Sequence, residues 1–360
     1  MSKDLSLSFQ GIPVIMADWA LFKSDYLQNY SSYFILTDKN VAEKCLQSFL
    51  SKSEINIYQV IKIEAGEEYK NFDSVQFIIN HLINSRADRK SLLINLGGGM
   101  VTDMGGFCAS IYKRGIDFIN VPTSLLAMAD AAIGGKTGID HQYIKNVVGS
   151  FSLPKAVLID TLFLNTLSKI EFLNGMGEVF KHAIIADADL WEALKFMSID
   201  SGNIPIELLA KAIKVKTQIV DIDFLEKEER KVLNFGHTIG HAIEALYIKN
   251  GNELPHGFAV AAGMWIESWI NNTISVLSND DFEEITSVLE AHYAFINIDI
   301  KEFDRLLDFI RNDKKSSNHQ IQITQILSIG FAQAVLIVTT EDLKNGLSAY
   351  IKRSKTLKNL

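Results

Sequence analysis

The rhythm of apolar positions changes about halfway along this chain, and that change predicts its organisation. From Ser32 onward, short apolar runs alternate with longer amphipathic ones, the pattern of βα units feeding a parallel sheet. Tyr33 to Leu36 predicts a strand, residues 41–50 a helix, 55–63 a strand and 72–83 a helix. Leu92-Leu93-Ile94-Asn95-Leu96 then predicts a buried strand, followed at once by Gly97-Gly98-Gly99 and a helical pattern to Tyr112. After Asp160 the strand signals thin out. Amphipathic segments at 171–186, 189–196, 205–221, 228–247, 259–271 and 281–292 predict a mainly helical second part, with a strand pair at 321–326 and 334–339 and a closing helix at 342–352. The expected division is an α/β domain of Rossmann type over 1–165 and a mainly α-helical domain over 166–360.

The order strand, glycines, helix is the first chemical signal. Glycines let a backbone approach a phosphate, and the free N–H groups of the following helix favour an anion. Asp103 is expected in the first turn of that helix, Asp38 and Asn40 close an earlier strand, and Gly66-Glu67 with Lys70 follow another. Carboxyl ends of strands are where an open α/β sheet binds its ligand, and carboxylates there accept hydrogen bonds from ribose hydroxyls. Helix capping is an equal reading of Asp38 and Asn40. Between Val121 and Phe151, glycine pairs beside lysines and hydroxyls read as loops suited to surrounding an oxyanion, with Lys113-Arg114 upstream.

The second signal is Asn234-Phe235-Gly236-His237-Thr238-Ile239-Gly240-His241-Ala242-Ile243-Glu244, with His256 further on. Histidines four apart share one helix face, within reach of a common metal or substrate. Glu178 and Lys181, one turn apart, share another face.

Composition narrows the classes. At 360 residues and 48% hydrophobic, the chain exceeds what one core usually supports, so two domains are the default. A formal charge of -8 argues against a nucleic-acid partner, and an anionic ligand must then meet a local cationic pocket. Two cysteines, Cys45 and Cys108, make no disulfide framework and lack zinc-site spacing. Residues 1–10 carry no signal-peptide pattern, and the apolar segment 258–270 is interrupted by Glu267, so neither a signal peptide nor a membrane span is expected. A cytoplasmic protein is expected.

Taken jointly and in order, several motifs resemble the 3-dehydroquinate synthase family, a branch of the sugar-phosphate cyclases. They are Leu96-Gly97-Gly98-Gly99 with Asp103 and Gly106-Phe107, Lys113-Arg114-Gly115, the segment at Pro122, Gly134-Gly135-Lys136-Thr137-Gly138, Lys145-Asn146, Gly175-Met176-Gly177-Glu178-Val179-Phe180-Lys181, and the histidine stretch with His256-Gly257. The resemblance runs from about Asp38 to about Lys315. It implies the dehydroquinate synthase-like fold, with a nucleotide-binding first domain and a metal- and substrate-binding second, catalytic NAD+, a divalent metal (Zn2+, with Co2+ as an alternative), a phosphorylated sugar-acid substrate and a homodimer. It assigns the metal to Glu178, His237 and His256, and leaves His241 as a catalytic neighbour, where spacing alone would make His241 a ligand. Lys136, Lys145, Asn146, Lys181, Lys216, Arg230, Asn234 and Arg114 match substrate-surrounding positions, joined by Lys314 or Lys315. Asp38, Asn40, Glu67, Lys70, Gly98, Gly99, Asp103, Thr123, Ser124, Asp130, Phe163, Thr166 and Leu167 match cofactor positions; Asp130, Lys136 and Lys145 count on both sides.

The implied reaction converts 3-deoxy-D-arabino-heptulosonate 7-phosphate to 3-dehydroquinate and phosphate, a lyase step of the shikimate pathway without net oxidation. The chain departs from the commoner family pattern at Phe258, Ser124 and Asp140, and the segment between His241 and His256 is slightly long. Other readings are a cyclase for another sugar phosphate, such as a 2-deoxy-scyllo-inosose synthase, a metal-dependent polyol dehydrogenase, and a silent NAD-binding scaffold. The cations at Lys145 and Lys181 argue against a neutral polyol.

Overall fold

The computed structural model describes residues 7–142, 144–199, 202–312 and 320–358. Contacts divide the chain into two compact units, one of residues 1–168 with 202–221, the other of 169–201 with 222–360. The helical stretch 202–221 thus groups with the amino-terminal unit.

In the first unit the strands are β1 (Leu7–Phe9), β2 (Ile12–Met16), β3 (Tyr33–Asp38), β4 (Gln59–Ile63), β5 (Leu92–Gly97), β6 (Asp117–Pro122), β7 (Lys136–His141), β8 (Ile144–Phe151) and β9 (Val157–Ile159). Seven of them form one sheet in the order β1-β2-β9-β6-β5-β3-β4, parallel except for the β1–β2 pair. Strand β5 is buried along its whole length, which is why it reads as a continuous apolar run. Phe34, Leu36, Ile61, Leu93, Val101, Met104 and Phe107 share one core beneath the flanking helices. The helix Gly99–Ile111 lies close on the sheet because Gly105 has no side chain: a Cβ there would fall 1.9 Å from Asn95 Oδ1. Chain order turns outward in opposite directions from β3 and β5, so the topological switch point falls at their carboxyl ends, beside Asp38 and the glycines.

The second unit is mainly helical. Its helix His256–Thr273 is buried along most of its length and packs against the helices Lys169–Ala186, His237–Lys249, Asn279–His292 and Thr340–Lys358. An antiparallel hairpin of β10 (Ile321–Ser328) and β11 (Phe331–Val338) joins them, at the expected late strand pair. Among the described residues no helix is long and apolar enough to cross a membrane.

Several sequence expectations are corrected. The segment read as loop after Val121 contains the β7–β8 hairpin, whose Gly138 and Gly149 pair so closely that a Cβ on Gly149 would meet Thr137 O at 2.2 Å. The expected helix 41–50 is broken at Cys45 into Lys39–Lys44 and Leu46–Ser53, and the strand expected from residue 55 begins only at Gln59. Asp103 lies just past the first turn of its helix, which starts at Gly99. The expected helix 228–247 is two elements, a 3-10 helix Glu229–Asn234 and the α-helix His237–Lys249, because Gly236 adopts a left-handed φ of 77° between them.

Candidate functional site

Parallel topology brings the family-matched cofactor positions to one edge of the sheet. Moving across it, Phe163, Thr166 and Leu167 follow β9, Thr123 and Ser124 follow β6, Gly98, Gly99 and Asp103 follow β5, Asp38 ends β3 with Asn40 just beyond it, and Glu67 and Lys70 follow β4. Gly98 caps the Gly99–Ile111 helix with no side chain over its amino end. Thr123 N donates to Gly97 O at 2.9 Å, tying two of these turns together. Asp38 Oδ1 caps its own helix through Val41 N at 3.0 Å, so the capping reading of this residue is realised, while Asn40 stands exposed on that helix.

Behind that edge Lys70 is buried, at 3% exposure. Its Nζ lies 2.7 Å from Asp103 Oδ2 and donates to Asn146 Oδ1 at 2.7 Å. Lys70 O accepts from Asp140 N, and Asp140 Oδ1 accepts from Asn146 N, so the β7–β8 hairpin is fastened to the Lys70 turn at both backbone and side chain. Burial pushes the Asp103 carboxyl up to about 6 against the pull of Lys70. Lys136 and Lys145 stand exposed on this hairpin. Asp130, on the turn Ala127–Ala131, forms an ion pair with the buried Lys216 of the helix Ile206–Ile222. Arg114 is placed apart from these groups: it is exposed beyond the far end of the Gly99–Ile111 helix, about 20 Å from its amino end at 1.5 Å per residue.

In the second unit three helices converge on a buried carboxylate. Glu178 is fully buried on the helix Lys169–Ala186; His237 and His256 are the first residues of their helices. Both Nε2 atoms lie 3.3 Å from Glu178 Oε1. Close helix packing sets this distance: a Cβ on Gly177 would sit 2.9 Å from Gly257 Cα, and one on Gly257 would sit 2.0 Å from Asn174 O. Asn174 Oδ1 also accepts from Gly257 N at 2.6 Å. The remaining imidazole nitrogens are engaged, His237 Nδ1 with Phe235 O and His256 Nδ1 with Glu244 Oε2, each at 3.1 Å. Both Nε2 atoms therefore face the carboxylate, as outer partners orient metal-binding histidines.

His241, one turn after His237, completes a cluster of three rings with centroids 5.1 to 5.8 Å apart. One ring nitrogen each of His237, His241 and His256 lie within 4.8 Å of one another. The spacing reading and the family reading of the ligand set thus share two histidines and differ by His241 or Glu178. Lys181 forms an ion pair with Glu178. Burial opposes the Glu178 charge, but Lys181 and the histidines outweigh it and hold the carboxyl well below the usual carboxylate range. Burial, then Lys181, pushes His237 down to about 3, leaving it the neutral imidazole that a metal requires. Burial also opposes charge on His256, yet Glu244 and Glu178 push it up to about 9. A divalent cation between His256 and Glu178 would have to displace that proton. Two nitrogens and a carboxylate oxygen around one point form a donor set suited to Zn2+.

A single helix over 228–247 would put Arg230 and Asn234 on the His237 face; the turn at Gly236 separates them from it. Arg230 is buried and donates from its guanidinium to Phe224 O at 2.6 Å, and Asn234 donates to Glu226 Oε1 at 3.0 Å. Asp223 holds that loop by accepting from the amides of Lys227, Glu228 and Arg230. Phe258 packs edge-on against Tyr293 at 5.3 Å, which gives the unusual aromatic a packing role. Lys314 and Lys315 lie outside the described residues. Sequence reasoning missed Glu244, Asp223 and Asn174; only Glu244 carried a signal, lying seven residues after His237 and three after His241 on a common helix face.

A parallel nucleotide-binding sheet in one unit and a histidine–carboxylate cluster among helices in the other define the dehydroquinate synthase-like class of enzymes. Residues 60–174 match the family model of the 3-dehydroquinate synthase amino-terminal region, and 175–316 that of the carboxy-terminal region. A 3-dehydroquinate synthase of Parabacteroides distasonis is 38% identical over 344 residues, 94% of this chain and 97% of the relative. One from Campylobacter jejuni strain RM1221 is 37% identical over 325 residues, 87% of this chain and 91% of the relative. In fold, the chain is similar to 2-epi-5-epi-valiolone synthase from Streptomyces hygroscopicus, solved with NAD+ and Zn2+, at a TM-score of 0.85 and 24% identity over 97% of this chain and 99% of that one. A glycerol dehydrogenase from Schizosaccharomyces pombe is more distant, with a TM-score of 0.65 and 15% identity over 96% of this chain and 90% of that one. The chain belongs to the 3-dehydroquinate synthase family.

Proposed function

We propose that the protein converts 3-deoxy-D-arabino-heptulosonate 7-phosphate to 3-dehydroquinate and phosphate, as a cytoplasmic homodimer, with NAD+ held at the carboxyl edge of the sheet and Zn2+ at Glu178, His237 and His256. The observation that carries this reading is the pair of Nε2 atoms, both 3.3 Å from one buried carboxylate oxygen, in a chain whose family match spans both units. When bound, the metal supplies Lewis acidity to a substrate hydroxyl and the nicotinamide a transient hydride acceptor.

The chain's own residues do the rest. Glu178 and the two histidines fix where a substrate hydroxyl is activated. His241, with its ring beside both ligand rings, is placed to exchange a proton at that hydroxyl. Lys181 lies one turn from Glu178 and supplies positive charge next to the metal ligands, suited to an anionic substrate. Lys136, Lys145, Lys216 and Arg230 supply further charge for a carboxylate and a phosphate, with Asn146 and Asn234 as amide donors and acceptors, and Arg114 as a cation from a more distant part of the first unit.

The test is incubation of the protein with the heptulosonate phosphate, catalytic NAD+ and Zn2+, following phosphate release and product identity. Turnover without net NADH is expected. Stoichiometric NADH would assign a dehydrogenase, and activity only with another sugar phosphate would assign a different cyclase. Elution as a monomer in solution would remove the dimer from the proposal.

A further inference from the structure

The two histidines of the cluster are oriented by different means. His237 Nδ1 faces the main-chain carbonyl of Phe235, an acceptor that no substitution removes. His256 Nδ1 faces the Glu244 carboxylate at 3.1 Å, so its orientation depends on one side chain. Glu244 is buried, at 2% exposure, and projects from the helix that begins with His237. The His256 ring is itself less enclosed than His237, with its side chain 23% exposed against 10%. His256 also opens its helix directly after Pro255, whose carbonyl closes the first turn on Phe258.

We propose that Glu244 is a positioning residue for the metal: it holds the His256 ring with N–H at Nδ1 and the lone pair at Nε2 aimed toward Glu178. This inference rests on the metal reading given above. A carboxylate behind a ligating imidazole fixes its tautomer and raises its basicity, and losing such a partner typically weakens metal affinity by about 10- to 100-fold. Glu244 does not touch metal or substrate; it acts through His256. An amide in its place fills the same volume but is neutral and presents either an acceptor or a donor to Nδ1.

The test compares wild type, Glu244→Gln and Glu244→Ala, titrating Zn2+ alone against a chromophoric chelator and recording the visible absorption of the Co2+-loaded protein. The expected result for Glu244→Gln is a Zn2+ affinity about tenfold or more below wild type, an altered Co2+ spectrum and an unchanged melting temperature for the metal-free protein; Glu244→Ala loses more. Unchanged affinity and spectrum in both variants would overturn the role of Glu244 while leaving the metal site standing. A metal-free melting temperature that falls in step with the affinity would make Glu244 merely structural and overturn it too. Wild type that fails to compete for Zn2+ would remove the metal reading itself, and this inference with it.

Discussion

The two units build their functional positions by opposite means. At the edge of the sheet the positions come from topology: parallel strands must end on the same side, so glycines, Thr123, Asp38 and Lys70 meet there although they are far apart in sequence. Main-chain groups carry much of that edge, including the amino end of the Gly99–Ile111 helix, over which Gly98 places no side chain, and the Thr123–Gly97 bond. The helical unit has no such geometric necessity. Its cluster exists because Gly177 and Gly257 let two helices touch, and its chemistry lies wholly in side chains around a buried charge. The sheet edge should therefore tolerate the loss of single side chains better than the cluster does.

The sharpest way to break this comparison is His237→Ala. Removing one of two nitrogens facing Glu178 is expected to abolish Zn2+ retention after dialysis. Turnover should fall by more than about 100-fold, since Lewis-acid stabilisation is worth several kcal/mol and each 1.4 kcal/mol is tenfold. NAD+ affinity, measured by titration calorimetry, should remain near wild type. A comparable loss of NAD+ binding would mean that the two units are not chemically separable.

How much of this was legible beforehand follows from the same contrast. The β5–glycine–helix signature and the strand ends could be read because an apolar run of strand length is a local signal, and parallel topology turns it into a place. The β7–β8 hairpin could not: Gly134-Gly135-Lys136-Thr137-Gly138 has the composition of a loop, and the hairpin closes by Gly138 packing on Gly149, a contact between segments. Residues 228–247 carry a helical period throughout, and the left-handed Gly236 breaks it, so Arg230 and Asn234 lie off the helix that the period predicts for them with His237. The convergence of His237 and His256 on Glu178 came through family resemblance, because spacing within one helix pointed to His241 instead. Glu244 shares a helix face with His237 and His241, but that spacing does not reach His256 on the next helix.

Lys70→Met probes the sheet unit with an intermediate effect. It leaves Asp103 without its nearest cation and Asn146 Oδ1 without its Lys70 donor, so the hairpin loses its side-chain fastening. Breaking a buried pair costs about 3–5 kcal/mol, and with Asp103 16% exposed the lower end, about 3 kcal/mol in denaturant unfolding, is expected. The double variant Lys70→Met with Asp103→Asn should recover part of that loss, because the one carboxylate left without Lys70 is then Glu67, which is 47% exposed to solvent. Zn2+ affinity should not change in either. A double variant no better than the single would show that the cost comes from the hairpin and not from the stranded carboxylate.

The smallest expected effect concerns Asp223, which holds the loop before Arg230. Its Oδ1 accepts from Lys227 N at 3.0 Å and its Oδ2 from Glu228 N at 2.8 Å and Arg230 N at 3.2 Å. Burial alone would raise this carboxyl, but the three amides and the Arg230 charge outweigh it and hold it below its ordinary value. A carboxyl lowered in the folded state binds its proton more weakly there than in the unfolded chain. Its contribution is therefore fully present above the unfolded value of about 3.9 and is lost as pH falls through the lower folded value. Asp223→Asn should accordingly be less stable than wild type in urea at pH 7, and the gap between their midpoints should close as the medium is taken below about pH 4. A gap that stays constant over that range would mean that the charge of Asp223 contributes nothing and that the loop is held by shape and hydrogen-bond count alone.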